Sequence, residues 1–184
     1  GVLVKGGMYL ESLARIRAVA FDKTGTLTAG RPIVTDVIPT DNVTAEELLA
    51  LAAALEQHSE HPLAAAVVEE AAARGLTPEM VQEYQALPGR GGTALIGGET
   101  CLIGSHDLFE EKIVHDREMC ALVERLYNAG KSAVMVSRGG QVIGIVGLAD
   151  KVRPDSRTTV GTLRRLGIRH TIMLTGDNER TAAA

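Results

Sequence analysis

The sequence predicts an α/β protein in which a parallel-sheet domain is interrupted by an inserted α+β domain. Two short apolar strands, one near each end of the chain, are followed by polar loops that begin at Asp22 and Thr175. The carboxyl ends of parallel strands lie at the same edge of a sheet, so the two loops are expected to meet there. The intervening hundred or so residues have a different sequence pattern, which predicts Ala-rich helices and short strands separated by glycines. We therefore expect residues 1–30 and 149–184 to form the first domain and residues 31–148 the inserted one.

Composition and charge indicate a folded protein and argue against a nucleic-acid-binding or membrane-spanning chain. The chain has 184 residues, of which 45% are hydrophobic, and this is enough to bury a core. Its net charge of -4 and the absence of a dense Lys/Arg cluster argue against a nucleic-acid partner. No apolar run approaches the roughly 18 residues that a membrane-spanning helix needs.

The elements of the first domain follow from local pattern. A buried strand of small and β-branched residues is expected to end at Asp22, and a polar loop at residues 23–30 follows it. Gly167 is expected to end a helix that precedes the last strand. The remaining predicted elements of this domain are a helix at residues 8–15, a helix at 155–166 and strands at 17–21 and 169–174; a further strand is expected at 33–38, just inside the insert.

Start and stop signals define the helices of the inserted domain. Thr44 and Glu47 form a capping box before a helix at residues 48–57. Pro62 holds a favoured first position for a helix at 63–74, which Gly75 ends. The other expected elements are strands at 81–87, 93–96, 100–103, 132–137 and 141–148, a helix at 116–128, and a hairpin turn at 138–140.

The loop after the first strand carries the chemistry. Residues two apart on an extended chain face the same way, so Asp22 and Thr24 share a site while Lys23 points elsewhere. Gly25 lets the backbone turn and offer N–H groups to an anion. A carboxylate in such a nest repels a phosphate unless a cation lies between them. This implies Mg²⁺, which prefers carboxylate and phosphate oxygens.

Residues 22–28, Asp-Lys-Thr-Gly-Thr-Leu-Thr, resemble at all seven positions the phosphorylation signature of P-type ATPases, which belong to the haloacid-dehalogenase-like superfamily. The resemblance implies a partial Rossmann-like phosphorylation domain that carries an inserted nucleotide-binding domain with an antiparallel sheet and helices. By the same resemblance, Asp22 accepts the γ-phosphate of ATP as an aspartyl-phosphate, Lys23 and Thr24 belong to the catalytic loop, and Asp22 and Thr24 hold Mg²⁺.

Thr24 refines the expected mechanism. Phosphatases of the superfamily have a second Asp two positions after the nucleophile, where it protonates the leaving group and activates water. A threonine hydroxyl does not act as a base near neutral pH, so the phospho-Asp22 intermediate is expected to persist. A haloacid-dehalogenase-like phosphatase with a cap domain is the alternative enzyme class, against which Thr24 argues.

Thr175-Gly176-Asp177 is the expected second element of the phosphate site. It follows an apolar strand and precedes a predicted helix, so its N–H groups can hold the transferring phosphoryl group. The resemblance implies that Thr175 and Gly176 contact phosphate and that Asp177 orders the site.

The inserted domain contains a second set of candidates, for nucleotide. Residues 59–63, Ser-Glu-His-Pro-Leu, resemble the His-Pro signature of the heavy-metal subgroup's nucleotide-binding domain. The loop at 88–92 resembles its Gly-x-Gly element, and Ile-Gly-Ser at 103–105 resembles its Ile-Gly-Asn element with a Ser in place of Asn. A lone His at a helix start is more often merely solvated, but here the neighbouring motifs favour binding. The implied ATP-binding residues are Glu56, His61, Gly89, Gly91 and Gly104.

The two cysteines suggest no site of their own. Cys101 and Cys120 lie far apart in the sequence and neither belongs to a Cys-x-x-Cys pair. We expect two reduced thiols without a ligand partner, and neither a disulfide framework nor a zinc site.

The resemblance also implies a larger parent protein. Its actuator and transmembrane domains are expected partners, and this part is expected to be cytoplasmic and not to bind the exported heavy-metal ion itself. Residues 5–11 resemble zinc/cadmium-type members more than copper-type ones. Both ends of the chain suggest a truncated segment, expected to bind ATP but to form aspartyl-phosphate poorly. A non-catalytic nucleotide-binding module is therefore the second alternative.

Overall fold

The computed structural model describes residue 1 and residues 3–174. They divide into two compact units. The first unit contains residues 1–30 together with the described residues from 152 onward, and the second contains residues 31–151. The identity of these units as phosphorylation and nucleotide-binding domains stays a prediction.

The described chain contains both helices and strands, with a short π-helical turn after the first strand. In order, the elements are α1 (Gly7–Ala14), β1 (Ala18–Asp22), the π-helical turn (Lys23–Leu27), β2 (Thr28–Pro39), α2 (Ala45–Glu56), α3 (Pro62–Ala73), β3 (Val81–Leu87), β4 (Gly91–Ile96), β5 (Glu99–Gly104), α4 (His106–Lys112), α5 (Arg117–Asn128), β6 (Ser132–Arg138), β7 (Gln141–Val152), α6 (Ser156–Arg165) and β8 (His170–Leu174).

The first unit is built on a parallel strand pair. β1 and β8 pair in parallel, with Ala18 opposite His170 at one end and Asp22 opposite Leu174 at the other. This confirms the predicted parallel sheet, whose two strands lie far apart in the sequence. The expectation of a buried β1 is wrong for the described residues. The side chains of β1 alternate between exposed and half-buried, and among the described strands β1 pairs with β8.

Two local predictions also need correction. The polar segment at 23–30 is not a simple loop, since Lys23–Leu27 forms a π-helical turn and β2 begins at Thr28. The helix His106–Lys112 was not predicted at all. It has seven residues and its Ser105 N-cap makes no side-chain capping bond, so it lacks the length and the start signal on which sequence patterns depend.

The second unit is a sheet covered by helices on both faces. Its strands follow the order β2-β7-β6-β5-β4-β3, and the pairs from β3 to β7 are antiparallel as predicted. Adjacent residues of β5 point to opposite faces of the sheet. Ile103 packs in the core formed with α2 and α3, and Leu102 packs in the core formed with α4 and α5. This three-layer arrangement buries both faces of the sheet.

The predicted start and stop signals hold. Thr44 and Glu47 form the reciprocal capping box at α2, and Pro62 is the first residue of α3. Gly139 and Gly140 both have positive φ in the turn between β6 and β7, the backbone that a tight hairpin requires. Among the described residues, no helix has the length and apolarity that crossing a membrane requires.

Candidate functional site

The second unit contains a cavity of about 460 Å³. This volume lies within the range of roughly 300–1,000 Å³ typical of small-molecule pockets. All five residues predicted to bind nucleotide line it, although they come from three separate parts of the chain. The lining residues are Glu56, His58, Ser59, Glu60, His61, Leu63, Tyr84, Ala86, Leu87, Pro88, Gly89, Arg90, Gly91, Gly104, Ser105, Ala133 and Val134.

His61 has a defined tautomer because it caps a helix. As the N-cap of α3, it accepts a hydrogen bond at Nδ1 from the Leu63 main-chain N–H over 3.2 Å. A ring nitrogen that accepts has no proton, so Nε2 carries the hydrogen of the neutral ring. The exposed imidazole therefore presents an N–H donor at Nε2. Its role as a cap is structural and compatible with ligand binding.

Glu56, the last residue of α2, is half-buried at the cavity wall. Burial raises the pKa of its carboxyl above the ordinary value of 4.5, while a hydrogen bond from Ser59 acts in the opposite direction. A carboxyl held in this way keeps strong acceptor oxygens in a weakly hydrated place. Such a group is suited to bind an amino group or a ring N–H of a ligand.

The three predicted glycines have different reasons to be glycine. A Cβ at Gly91 would come within 1.9 Å of the Ile103 carbonyl oxygen, and one at Gly104 within 2.3 Å of the Arg90 carbonyl oxygen. These two positions therefore serve the close packing of β4 against β5. Gly89 has φ +71° and would meet nothing within 4 Å, so its main chain faces open space in the cavity.

Sequence reasoning missed an aromatic wall of the cavity. The rings of His58 and Tyr84 lie 4.9 Å apart between centroids, tilted by 32°. Burial raises the pKa of the Tyr84 phenol, and the negative charge of Glu56 raises it further. β3 has a register shift between Gln82 and Gln85, with Glu83 at φ +51°, an irregularity that re-aims neighbouring side chains. A sequence pattern does not reveal such a bulge.

The first unit presents Asp22 at the end of β1. The residue is exposed, has an extended backbone, and is opposite Leu174, the residue that precedes Thr175. The predicted elements Thr175, Gly176 and Asp177 lie outside the described residues, so the expected meeting of the two loops stays a prediction.

The turn after Asp22 is held by its own residues. Thr28 is 2% exposed, and its hydroxyl donates to the Lys23 carbonyl oxygen over 3.0 Å while accepting from the Gly25 N–H over 3.2 Å. Gly25 has φ +78°, the left-handed backbone expected of it. The main chain of Thr24 takes part in the same turn. Thr28, the last signature residue, therefore acts as an internal brace.

Two residues near the start of α6 support the same turn. Arg153 donates from Nε to the Thr28 carbonyl oxygen over 3.0 Å and from Nη2 to the Gly25 carbonyl oxygen over 3.1 Å. The Ser156 hydroxyl donates to the Leu27 carbonyl oxygen over 2.7 Å. These contacts join residues more than a hundred positions apart, so no local sequence pattern predicts them.

The structure places Cys120 in a cluster of side chains that could bind a metal ion, which nothing in the sequence predicted. His106 Nε2 lies 3.4 Å from its Sγ, and His115 Nε2 lies 3.4 Å from His106 Nε2. Cys-x-x-Cys spacing does not reveal this cluster, because the turn between α4 and α5 brings its members together. Cys101 is a buried core thiol, as expected.

Comparison with known proteins identifies the family. A family model described as haloacid dehalogenase-like hydrolase matches residues 16–184. The chain belongs to this family. Within the haloacid dehalogenase-like hydrolases, its relatives are heavy-metal-transporting P-type ATPases. One, the probable cadmium-transporting ATPase of Staphylococcus aureus (strain MRSA252), is 44% identical over 189 residues, which cover 100% of this chain and 26% of the relative.

Solved structures of this haloacid dehalogenase-like group share the fold. A zinc-transporting PIB-type ATPase in an E2.Pi state is 43% identical with a TM-score of 0.84, covering 99% of this chain and 29% of that one. The catalytic domain of the CPx-ATPase CopB-B, studied upon nucleotide binding, is 26% identical with a TM-score of 0.71 and covers 98% and 62% of the two chains. The chain thus spans about a quarter of the length of the curated relatives it matches.

Proposed function

We propose that this chain is the ATP-binding and phosphoryl-accepting part of a heavy-metal P-type ATPase. The single observation that carries the proposal is the cavity, because five residues chosen from separate motifs line one space of suitable volume. The signature at residues 22–28 and the family supply the context. The inserted unit binds the nucleotide, and Asp22 receives its terminal phosphoryl group.

Adenine recognition falls to the polar groups at the cavity wall. The Glu56 carboxylate accepts from the exocyclic amino group of the purine, and the His61 Nε2–H donates to a ring nitrogen or a phosphate oxygen. The open main chain at Gly89 permits the close approach of a flat ring. Leu63, Leu87 and Val134 supply an apolar lining. A tilted His58–Tyr84 pair next to this space adds an aromatic edge.

Phosphoryl transfer falls to Asp22. A carboxylate oxygen of Asp22 forms a bond to the γ-phosphorus as the bond from that phosphorus to the β–γ bridging oxygen breaks, and ADP leaves. We assign Mg²⁺ to the exposed carboxylate of Asp22 together with Thr24, because oxygen donors suit this ion, and the bound ion would offset the repulsion between carboxylate and phosphate. Lys23, Thr175, Gly176 and Asp177 complete the phosphate site.

The activity of the whole protein follows from the same proposal. Cycles of aspartyl-phosphate formation and hydrolysis drive export of a heavy-metal cation, of zinc/cadmium rather than copper type, through transmembrane and actuator domains elsewhere in the parent. This part of the chain lies on the cytoplasmic side, where ATP is found. Similarity to a probable cadmium-transporting ATPase supports this assignment.

Nucleotide binding is tested by calorimetry of the 184-residue chain with MgATP. His61→Ala would remove both the imidazole and the helix cap, so His61→Asn is the better variant because Asn also caps helices well. We expect His61→Asn and Glu56→Gln each to weaken ATP binding about 10-fold, equivalent to about 1.4 kcal/mol. His170→Gln, on β8 in the other unit, is the matched control. Equal affinity in all four proteins would refute the assigned cavity.

Phosphoryl acceptance is tested in a chimera in which this chain replaces the matching segment of the Staphylococcus aureus relative. Membranes carrying the chimera should form an acid-stable, hydroxylamine-labile phosphoenzyme from [γ-³²P]ATP, and Asp22→Asn should abolish it. Labelling that persists in Asp22→Asn contradicts the proposal. Rapid turnover of a generic phosphate ester by the chain itself would favour a phosphatase, and ATP binding without phosphoenzyme in the chimera would favour a binding module.

A further inference from the structure

We propose that His106, His115 and Cys120 form a binding site for a soft or borderline divalent cation such as Zn²⁺. His106 begins α4, His115 lies in the turn between α4 and α5, and Cys120 is in the first turns of α5. Their ligand atoms all lie within 4.8 Å of one another. The site is built from residues outside the cavity motifs and the phosphorylation loop, and it does not depend on the function proposed above.

The spacing of these atoms matches a tetrahedral metal centre. With Zn–N bonds of about 2.05 Å and a Zn–S bond of about 2.3 Å, tetrahedral angles place two nitrogens about 3.3 Å apart and a nitrogen about 3.6 Å from sulfur. In the structure the His106 and His115 Nε2 atoms are 3.4 Å apart, and His106 Nε2 is 3.4 Å from Cys120 Sγ. Two of the three distances between ligand atoms thus match those of a tetrahedral centre, and all three ligand atoms lie within 4.8 Å of one another.

The outer nitrogen of His115 has the contact typical of a metal ligand, and a carboxylate lies near the outer nitrogen of His106. A ligating His usually donates its other ring N–H to a carbonyl or carboxylate, which leaves the ligating nitrogen bare. His115 Nδ1 lies 2.8 Å from the Ile113 carbonyl oxygen, so Nδ1 carries the hydrogen and Nε2 faces the cluster with a lone pair. His106 Nδ1 faces Glu110, 3.9 Å from its Oε1.

The donor set and exposure indicate the kind of ion. Two imidazoles and one thiolate suit Zn²⁺ or Cd²⁺ and poorly suit Mg²⁺ or Ca²⁺, which prefer oxygen. The His106 side chain is 15% exposed, and the other two ligands are also partly buried. Three protein ligands at a partly open surface leave a fourth coordination position for water.

The site has a direct structural link to the cavity. Ser105, which precedes His106, lines the cavity, and its N–H donates to the Arg90 carbonyl oxygen over 2.9 Å. Arg90, another lining residue, forms an ion pair with Glu111 of α4 over 2.9 Å. An ion that fixes the start of α4 against α5 thus also fixes the segment that carries one wall of the cavity.

Zinc binding by the reduced 184-residue chain, measured by competition with a chromophoric chelator, tests the site. We expect one Zn²⁺ per chain. Loss of a group that orients a ligating side chain costs 10–100-fold in metal affinity, so Glu110→Gln should weaken zinc binding about 10-fold. Loss of a ligand itself, in Cys120→Ser or His106→Ala, should weaken it about 100-fold or more. Replacing Zn²⁺ with Co²⁺ should produce tetrahedral visible bands with a thiolate charge-transfer band, and Cys120→Ser should remove the latter.

Controls separate binding from folding. His170→Gln removes a histidine on β8, outside the second unit, and should leave zinc affinity unchanged. Circular dichroism without metal monitors each variant, and His115→Ala, which alters only the inter-helix turn, repeats the test if a helix variant unfolds. A wild-type chain that takes up no zinc in a one-to-one ratio overturns the proposal, since the three side chains then form only hydrogen bonds. Zinc affinity unchanged in Cys120→Ser and His115→Ala also overturns it.

Discussion

Arg153 donates a hydrogen bond from Nε to the Thr28 carbonyl oxygen, joining the start of α6 to the turn that follows Asp22. A second donor of the same guanidinium contacts the Gly25 carbonyl oxygen. The turn that presents Asp22 is therefore positioned from outside itself. Planar guanidinium groups are well suited to such paired contacts, which neither Lys nor Gln reproduces.

Arg153→Gln should loosen this turn. Loss of both hydrogen bonds should lower its local opening free energy by about 1 kcal/mol, which corresponds to roughly 5-fold faster amide exchange at residues 23–28. Hydrogen–deuterium exchange measures this directly. Arg157→Gln, on the exposed surface of α6, is the control and should leave exchange unchanged. Equal protection in Arg153→Gln would mean that Thr28 and Ser156 hold the turn alone.

Gly91→Ala should destabilise the second unit by about 3 kcal/mol, because the added methyl group overlaps the Ile103 carbonyl oxygen and forces main chain to move. Urea unfolding monitored by circular dichroism reports the change. Gly161→Ala is the matched control, since a Cβ at that helical position meets nothing within 4 Å. It should be neutral or slightly stabilising. A Gly91 variant as stable as wild type would contradict the close packing of β4 on β5.

Glu56→Gln should stabilise the chain in a pH-dependent way. The folded-state pKa of Glu56 is raised by burial above its ordinary value of 4.5, so the folded state binds the proton more tightly than the unfolded state. Stability from the protonated group is complete below pH 4.5 and is lost as pH rises through the folded pKa. The glutamine of the variant does not ionise, so the variant does not lose this stability as the pH rises.

Thermal unfolding of wild type and Glu56→Gln at a series of pH values measures the effect. The advantage of the variant should be near zero at pH 4.5 or below and about 1 kcal/mol at pH 8, a typical size for one buried polar group. Glu46→Gln, at the exposed start of α2, should show no comparable trend. An advantage that grows as pH falls would reverse the assigned sign.

Phe109→Ala should cost about 4 kcal/mol of stability. Phe109 is fully buried at 0% exposure in the core between α4, α5 and the sheet, and its removal leaves a cavity that the surrounding side chains fill only in part. Leu166→Ala, at a position 75% exposed, is the control and should change stability by less than about 0.5 kcal/mol. If Phe109→Ala lost no more stability than Leu166→Ala, the core formed by α4, α5 and the sheet would contribute little to the free energy of unfolding.

Most elements of the fold were predictable because their signals are local. The capping box at Thr44 and the hairpin glycines at 139 and 140 act within a few residues, and each matches the structure. The missed helix α4 is short and lacks a side-chain cap, so it depends on the burial of Leu108 and Phe109 in a core built by distant strands. Its existence is a tertiary effect.

The candidate sites divide in the same way. Asp22 and His61 were identifiable because contiguous motifs surround them, and the structure presents each at the end or the start of an element as expected. Tyr84 lines the cavity from the part of β3 where the strand register shifts, and residue spacing in the sequence does not predict such a shift.

The sequence by itself determined the start and stop of the main helices, the hairpin turn at residues 138–140, and the chemical character of the loop after Asp22. Only the tertiary structure decided that Arg153 supports that loop, that Gly91 and Gly104 exist for close strand packing, and that His106, His115 and Cys120 converge. Local signals depend on backbone preferences over a few residues. Contacts between distant segments depend on which surfaces the whole chain buries together, and this is settled when the sheet and its helices pack.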